Sequence, residues 1–246
     1  MIDTHCHLLN SVDDGSQSKE ATLAMLNDAQ KYGITKIIAT PHCWPGIKYP
    51  NDFTRVNKAY QQALEIIVQH HMDIQLYFGC ELFTTPDTMN WIIEKKALTM
   101  NDTNIYLVEL PWSIHRDKSI NETKILTEIT KLGYQVVIAH PERYDIVKEK
   151  LDILKTWRDL GCSFQINRTS LLNPNGWEYE TAWKIVNSGY VDVIATDAHH
   201  YTGSRIMRLD DIYEVIKTKF NEDIANLVLI DNPQRIIDGQ TLTHIK

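Results

Sequence analysis

The sequence predicts an α/β fold in which seven parallel strands form a barrel surrounded by helices. Short apolar runs rich in β-branched residues alternate with amphipathic helical stretches along the whole chain. Strict alternation of this kind is typical of a parallel sheet. Because no Pro-, Gly- or Ser-rich linker interrupts the pattern, we expect a single domain over residues 1–246.

Seven apolar runs supply the expected strands. They cover residues 2–5, 35–40, 74–79, 105–110, 134–139, 162–167 and 191–196. Seven βα repeats in 246 residues suit a closed barrel better than an open sheet. Because the regular barrel of this type has eight strands, the predicted fold class is a distorted TIM-like (β/α)7 barrel.

Helices are expected between the strands and after the last one. They cover residues 18–32, 53–71, 87–97, 120–132, 144–160, 178–188, 206–219 and 221–230. Apolar residues recur at helical spacing, as Leu23 and Leu26 do in the first helix. Glycines also stand where four of these helices should end, namely Gly33, Gly133, Gly161 and Gly189.

Composition excludes several classes of protein. The chain has 32 acidic and 25 basic residues and a formal net charge of −7, which argues against a nucleic-acid surface. No apolar run approaches the roughly 18 residues of a membrane helix, and no basic segment precedes an apolar one at the N-terminus. Four cysteines are too few for a disulfide framework. We therefore expect a cytoplasmic protein without membrane insertion.

Side chains that bind metals follow six of the seven expected strands. In a parallel barrel the carboxyl ends of the strands form the active-site face, so these residues should converge. Imidazole and carboxylate together suit Zn, Mn or Fe in a hydrolytic site. The candidates are His5, His7, Asp14, His42, Glu81, Glu109, His140, Asp197 and His199.

Nine ligands are too many for one ion and suit two or three. Four carboxylates at one face would repel one another unless their pKa values rose or cations lay between them. Three divalent ions would carry six positive charges against these four carboxylates. The resulting pocket would be positive within an acidic protein, and it would attract a phosphate ester.

Five segments carry a resemblance to a known family. They are MIDTHCHLLNSVDDGSQS at the N-terminus, ATPHCWPG, GCELF, AHPERY and ATDAHH. Together they resemble the PHP (polymerase and histidinol phosphatase) superfamily. Within it, the chain is most similar to the bacterial manganese-dependent tyrosine-protein phosphatases of capsule and exopolysaccharide clusters, the CpsB/YwqE type. The resemblance extends to NPQRII at residues 232–237 and implies a distorted seven-stranded PHP barrel with three metals.

The resemblance also implies roles for individual residues. A first metal would be held by His5, His7, Glu81 and Asp197. Glu81 would bridge to a second metal held by Glu109 and His140, and a third would be held by Asp14, His42 and His199. Mn²⁺ is the implied ion, with Fe or Zn as alternatives. Arg143 and Arg205 would contact the phosphate, with Arg208 as a substitute because Arg205 lies one residue beyond the family's position.

The implied activity is protein-tyrosine phosphatase activity. A metal-activated hydroxide would attack phosphorus in line, while Arg143 and the metals hold the equatorial oxygens. The implied substrate is the tail of a membrane-associated capsule-synthesis tyrosine kinase, and self-association as a homo-oligomer stays open. An aromatic rim could admit such a tail, although ordinary loop packing explains the same residues, which are Trp44, Tyr49, Trp112, Tyr144 and Tyr201.

Four other interpretations compete with this one. Cys162 and Arg168 match the C-x5-R spacing of cysteine-dependent phosphatases, but the residues between them form an alternating strand without glycine. A histidinol-phosphate or other small phosphomonoester phosphatase is the nearest alternative. An amidohydrolase would call for a bridging lysine and does not predict His42 together with Glu81. A non-catalytic PHP module is not required, since all nine ligand positions are filled.

Overall fold

Nine strands form two parallel sheets in the computed structural model, which describes residues 1–113 and 121–245. One sheet has the order β1-β2-β4 and the other has the order β3-β5-β6-β7-β8-β9. The strands are β1 (Ile2–Cys6), β2 (Lys36–Ala39), β3 (His42–Cys43), β4 (Gln75–Phe78), β5 (Glu81–Phe83), β6 (Ile105–Glu109), β7 (Gln135–Ala139), β8 (Cys162–Asn167) and β9 (Val193–Ala195).

Helices follow the strands, as the alternation predicts. They are α1 (Lys19–Lys31), α2 (Phe53–Gln69), α3 (Thr88–Ile93), α4 (Glu122–Lys131), α5 (Asp145–Glu149), α6 (Ile153–Asp159), α7 (Arg168–Leu172), α8 (Tyr179–Asn187), α9 (Asp210–Lys219), α10 (Glu222–Asn226) and α11 (Asn232–Ile237). A π-helical turn, Leu227–Asp231, joins the last two. Side-chain caps fix several helix starts: Ser18 accepts from the amide of Ala21, and Asp52 accepts from the amide of Arg55.

The second and third expected strands correspond to β2 and β4, and each is followed by a short strand, β3 or β5, that the sequence analysis did not anticipate. Thr40 and Pro41 separate β2 from β3, and Pro41 has no N–H to donate to a ladder. Its carbonyl instead accepts from the amide of Glu81 at 3.0 Å. The ladders of the described residues therefore form two sheets, and they do not form one continuous closed barrel.

Backbone hydrogen bonds nevertheless connect the first strand to the segment after the last one. The amide of Asp197 donates to the carbonyl of His5, and the amide of His7 donates to the carbonyl of Ala198, each at 2.8 Å. These two bonds fix the relative positions of four residues that carry or adjoin predicted ligands. The α/β fold with parallel pairing is as predicted.

Some helices differ from the expected ranges. The helix expected at 144–160 is two helices, α5 and α6, and the one expected at 206–219 begins only at Asp210. The last expected helix continues through the π-helical turn into α11, and the short helix α7 had not been predicted. The start of the helix expected at 120–132 lies outside the described residues, and α4 covers the rest. Among the described residues, no helix has the length and apolar character needed to cross a membrane.

Candidate metal centre

All nine predicted ligands lie in one cluster at the carboxyl ends of the strands. Their ligand atoms form four overlapping groups, and within each group these atoms lie within 4.8 Å of one another. Eight of the nine residues are buried, whereas the Asp14 side chain is 56% exposed. The groups are His7, Asp14, His42 and His199; His5, Glu81 and His140; His5, His7 and Asp197; and His42, Glu81 and Glu109.

Glu81 lies at the middle of the cluster. Its Oε2 atom is 3.3 Å from Nε2 of His5, 3.4 Å from Nε2 of His7 and 2.8 Å from Nδ1 of His42. Its Oε1 atom is 2.7 Å from Nε2 of His140. One buried carboxylate therefore faces four imidazoles, and this arrangement suits a bridging ligand.

Asp197 connects two of the imidazoles to two arginines. Its Oδ1 atom is 3.5 Å from His5 and 3.4 Å from His7, and it is 2.8 Å from a guanidinium nitrogen of Arg205. Its Oδ2 atom is 2.9 Å from a guanidinium nitrogen of Arg143. The backbone of Asp197 has a φ of 49°, in the left-handed region that aspartate adopts more readily than most L-residues.

Four buried polar atoms of the cluster lack a hydrogen-bond partner among the described residues: Nδ1 of His42, Nδ1 of His140, Oε2 of Glu81 and Oε2 of Glu109. His42 and Glu81 approach to 2.8 Å, but their directions do not suit a hydrogen bond. Unsatisfied buried polar atoms are costly, so they call for an explanation. Lone pairs that face a common point fit bound divalent cations, and the donor set fits metals of the Mn, Fe and Zn type.

Two of the imidazoles in the cluster are held neutral. Burial, with the neighbouring charge of Arg143, lowers the pKa of His140 to about 4. Burial and the proximity of His7 lower the pKa of His199 to about 4 as well. At neutral pH both rings therefore have a free lone pair, and this is the form in which histidine binds metals.

The carboxylates differ in their charge state. Burial and the adjacent charge of Glu81 raise the pKa of Glu109 to about 8. Burial alone would also raise the pKa of Asp197, but the charges of Arg205 and Arg143 hold this pKa well below its usual value. Glu109 is thus the group that depends most on an added cation to become ionised.

Two of the three arginines named in the sequence analysis lie at the cluster, and the third does not. Arg143 is buried, and Arg205, whose side chain is 33% exposed, donates to the backbone carbonyl and the carboxylate of Asp197. Arg208, in contrast, pairs with Asp210 at 2.7 Å and with Asp211 at 3.3 Å. The structure therefore brings Arg143 and Arg205 to the cluster and directs Arg208 elsewhere.

Comparisons with known proteins identify the family. A sequence profile described as "Capsular polysaccharide synthesis, CpsB/CapC" matches residues 1–238. The chain belongs to the CpsB/CapC family. It is 30% identical to the tyrosine-protein phosphatase CpsB of Streptococcus pneumoniae, over 98% of this chain and 100% of that protein. It is 27% identical to the tyrosine-protein phosphatase YwqE of Bacillus subtilis strain 168, over 98% and 93%.

A solved structure shares the fold of this CpsB/CapC chain. The work on YwqE from Bacillus subtilis and CpsB from Streptococcus pneumoniae describes those proteins as unique metal-dependent tyrosine phosphatases. The match has a TM-score of 0.90 and 25% identity, and it covers 100% of this chain and 97% of the other. The strand-end cluster of this chain thus lies in a fold whose solved relatives are metal-dependent enzymes.

Strand β8 is the one expected strand that no predicted ligand follows, and its residues orient the ligands instead. Strand β8 places Gln165 and Asn167 on the same face, since residues two apart in a strand point the same way. Oε1 of Gln165 lies 2.8 Å from Nδ1 of His5, and the side-chain Nδ2 of Asn167 donates to Oδ2 of Asp197 at 2.8 Å. Sequence analysis missed both residues, although their i, i+2 spacing at a strand end could have indicated them.

Asp13 is a third residue that the sequence analysis missed. Its Oδ2 atom is 2.7 Å from Nδ1 of His7 and accepts from the backbone amide of His42 at 2.9 Å. Its Oδ1 atom accepts from the amide of Gly15 at 2.9 Å. Paired aspartates before a glycine were the available signal: Asp14 faces the ligand cluster, and Asp13 holds two histidines in position.

Cys162 and Arg168 do not form a phosphate-binding loop in this CpsB/CapC chain. Cys162 begins β8 and Arg168 directly follows its end, and a six-residue strand spans about 20 Å. Burial raises the pKa of Cys162 to about 12, so the thiol stays protonated. Arg168 forms an ion pair with Asp211 and donates to the carbonyl of Ser204.

The predicted aromatic rim is present only in part. Trp44 and Tyr49 lie 5.5 Å and 5.7 Å from the ring of His42, and Trp112 donates from Nε1 to Oε1 of Glu109 at 2.7 Å. Tyr201 is exposed. Tyr144, in contrast, is fully buried, and its hydroxyl donates to the carbonyl of Ala139, so it is a structural residue.

Proposed function

We propose that this CpsB/CapC-family chain is a metal-dependent protein-tyrosine phosphatase. The observation that carries the proposal is the convergence of nine metal-type ligands, with unsatisfied buried atoms, beside Arg143 and Arg205. A pocket that holds divalent cations and two guanidinium groups suits a phosphate monoester. The names of the relatives CpsB and YwqE support phosphotyrosine as the substrate.

The proposed cofactor is a set of three divalent ions, with Mn²⁺ preferred and Fe or Zn as alternatives. His5, His7, Glu81 and Asp197 hold one ion in this proposal; Glu81 with Glu109 and His140 holds another; Asp14, His42 and His199 hold the third. The ligand atoms of His7 also lie in one group with those of Asp14, His42 and His199. This grouping supports His7 as a ligand of the third ion as well as the first. When bound, such ions lower the pKa of a coordinated water toward neutrality and offset charge on the phosphoryl group.

The side chains of the chain itself position the ester. Arg143 and Arg205 each donate to Asp197, which fixes their direction toward the cluster. Their remaining N–H groups orient phosphoryl oxygens in the ground state and as charge redistributes. Hydrolysis adds water across the P–O bond, releasing inorganic phosphate and the tyrosine hydroxyl, which retains the ester oxygen.

The proposed cellular substrate and location rest on the family. The substrate is a flexible tyrosine-containing tail of a membrane-associated capsule-synthesis kinase, and the enzyme acts in the cytoplasm.

The hydrogen bonds from Asp197 to His5 and from His7 to Ala198 support a fold in which the strands approach a closed seven-stranded barrel.

The experiment is a substrate panel with chelator-treated protein reloaded with Mn²⁺. A phosphotyrosyl peptide and histidinol phosphate are compared by phosphate release. We expect a higher kcat/KM for the peptide, whereas a preference for histidinol phosphate would overturn the assignment. His42→Ala should lower turnover by about a hundredfold or more, since it removes a proposed ligand. His70→Ala, which alters an exposed histidine at the end of α2, is the matched control.

A further inference from the structure

Two exposed tryptophans lead outward from the ligand cluster. The ring centroid of Trp112 lies 6.1 Å from that of His140, and the ring of Trp177 lies 6.4 Å from that of Trp112. Trp112 is 42% exposed and Trp177 is 56% exposed. Large apolar side chains are seldom exposed as neighbours without a partner, and here they adjoin the centre directly.

A cation lies against each of the two rings. The guanidinium carbon of Arg143 is 5.3 Å from the centroid of Trp112, and Nζ of Lys148 is 3.6 Å from the centroid of Trp177. The positive charges therefore follow the same path as the rings. An aromatic phosphate ester complements this path, since its anionic group would face Arg143 and its ring would face Trp112.

On the side of His42, the aromatic side chains pack against one another. Trp44 packs against Phe83, with ring centroids 4.9 Å apart, and against Tyr49, with centroids 5.5 Å apart. Its Nε1 atom is buried. The exposed aromatic surface that adjoins the phosphate-orienting Arg143 is thus on the side of Trp112 and Trp177.

A cavity of about 470 Å³ adjoins the path of the two tryptophans. Another cavity, of about 510 Å³, lies away from this path. The lining of the adjoining cavity includes Arg143 and Arg205, which contact the cluster, and also Asn173 and Glu178. Because Trp177 directly precedes Glu178, one short segment shapes both the cavity and the outer ring. A peptide that leaves the centre here would meet a tryptophan and then polar groups.

We propose that Trp112 and Trp177 form an aromatic wall for a phosphotyrosyl peptide. Trp112 contacts the ring of the phosphotyrosine. Trp177 contacts the apolar or aromatic residue next to the phosphotyrosine in the peptide. This proposal rests on the proposed phosphatase function. Trp177 is then a specificity-determining residue, which favours phosphotyrosine within a polypeptide over small aryl phosphates.

The test compares two substrates of the Mn²⁺-loaded enzyme, a phosphotyrosyl peptide with flanking aromatic residues and phenyl phosphate. Trp177→Ala should raise KM for the peptide about fivefold and leave kcat unchanged, since it removes one aromatic contact. Its kcat/KM for phenyl phosphate should not change. Trp177→Phe should restore most of the peptide KM.

Phe220→Ala is the matched control, because Phe220 is an exposed aromatic residue at the far end of α9. It should alter neither substrate. Equal losses on both substrates, or an unchanged peptide KM in Trp177→Ala, would overturn the wall while leaving the phosphatase function in place. If the wild-type enzyme hydrolyses neither ester, the proposed function fails, and the wall falls with it.

Discussion

Replacing Asp13 with asparagine should weaken metal binding without removing a proposed ligand. One oxygen of Asp13 serves both His7 and the backbone amide of His42, and the other serves the amide of Gly15. Asparagine keeps the size of the side chain but replaces one oxygen with an NH₂ group. Whichever way this amide lies, its NH₂ group faces at least one N–H donor in a buried site.

The magnitude follows from the lost hydrogen bonds. A buried donor left without its acceptor costs about 1–3 kcal/mol, so we expect the free energy of unfolding to fall by about 2 kcal/mol. Loss of a carboxylate that orients a metal-binding histidine lowers metal affinity by roughly 10- to 100-fold. His7 also loses the charge that fixes its ring, since Asp13 is ionised: burial opposes this, but His7 lowers its pKa.

The assay titrates chelator-treated Asp13→Asn protein with Mn²⁺ and follows both calorimetric binding and phosphotyrosyl-peptide turnover. Activity should return only at higher Mn²⁺ concentrations than the wild type needs. Asp192→Asn is the matched control, because Asp192 is equally buried and accepts from Arg158 and from the amide of Phe164. It should destabilise the fold and leave metal affinity unchanged. Wild-type Mn²⁺ affinity in Asp13→Asn would refute the reasoning.

Three further predictions concern the reacting groups and the ligands. Cys162→Ser should retain near-wild-type kcat with the phosphotyrosyl peptide, because the thiol is buried and protonated; an inactive but folded variant would contradict this. Arg205→Ala should lower kcat/KM about a hundredfold, as for loss of a donor to the reacting oxygens, whereas Arg208→Ala should leave it near the wild-type value. Because the pKa of Glu109 is about 8, it is protonated at neutral pH and must release its proton when a metal binds. Metal affinity should therefore rise with pH up to about 8, and calorimetry in buffers of different ionisation enthalpy should show a proton release that Glu109→Gln reduces.

The sequence predicts the convergence of the ligands because βα periodicity fixes which end of each strand a residue follows. His42 and Glu81 are 39 positions apart along the chain, yet the register of β3 against β5 places them opposite each other. No local motif contains this information. The period alone carries it, and the same reasoning recovered the parallel pairing of the strands.

The sequence does not predict the short strands β3 and β5 or how the ligands are supported. Strand β2 ends before Pro41, which has no backbone N–H to donate to a ladder. A pattern of apolar residues contains no information about this missing donor. Gln165 and Trp177 are ordinary residues in sequence, and their roles depend on contacts with His5 and Trp112 that only the folded chain creates.

Metal content and activity measured on the same samples test the central claim most directly. Chelator-treated protein is reloaded stepwise with Mn²⁺, bound metal is counted by elemental analysis, and phosphate release from a phosphotyrosyl peptide is followed at each step. We predict no turnover without metal, and activity that rises with occupancy toward three ions per chain. Full turnover by the metal-free protein would contradict this prediction.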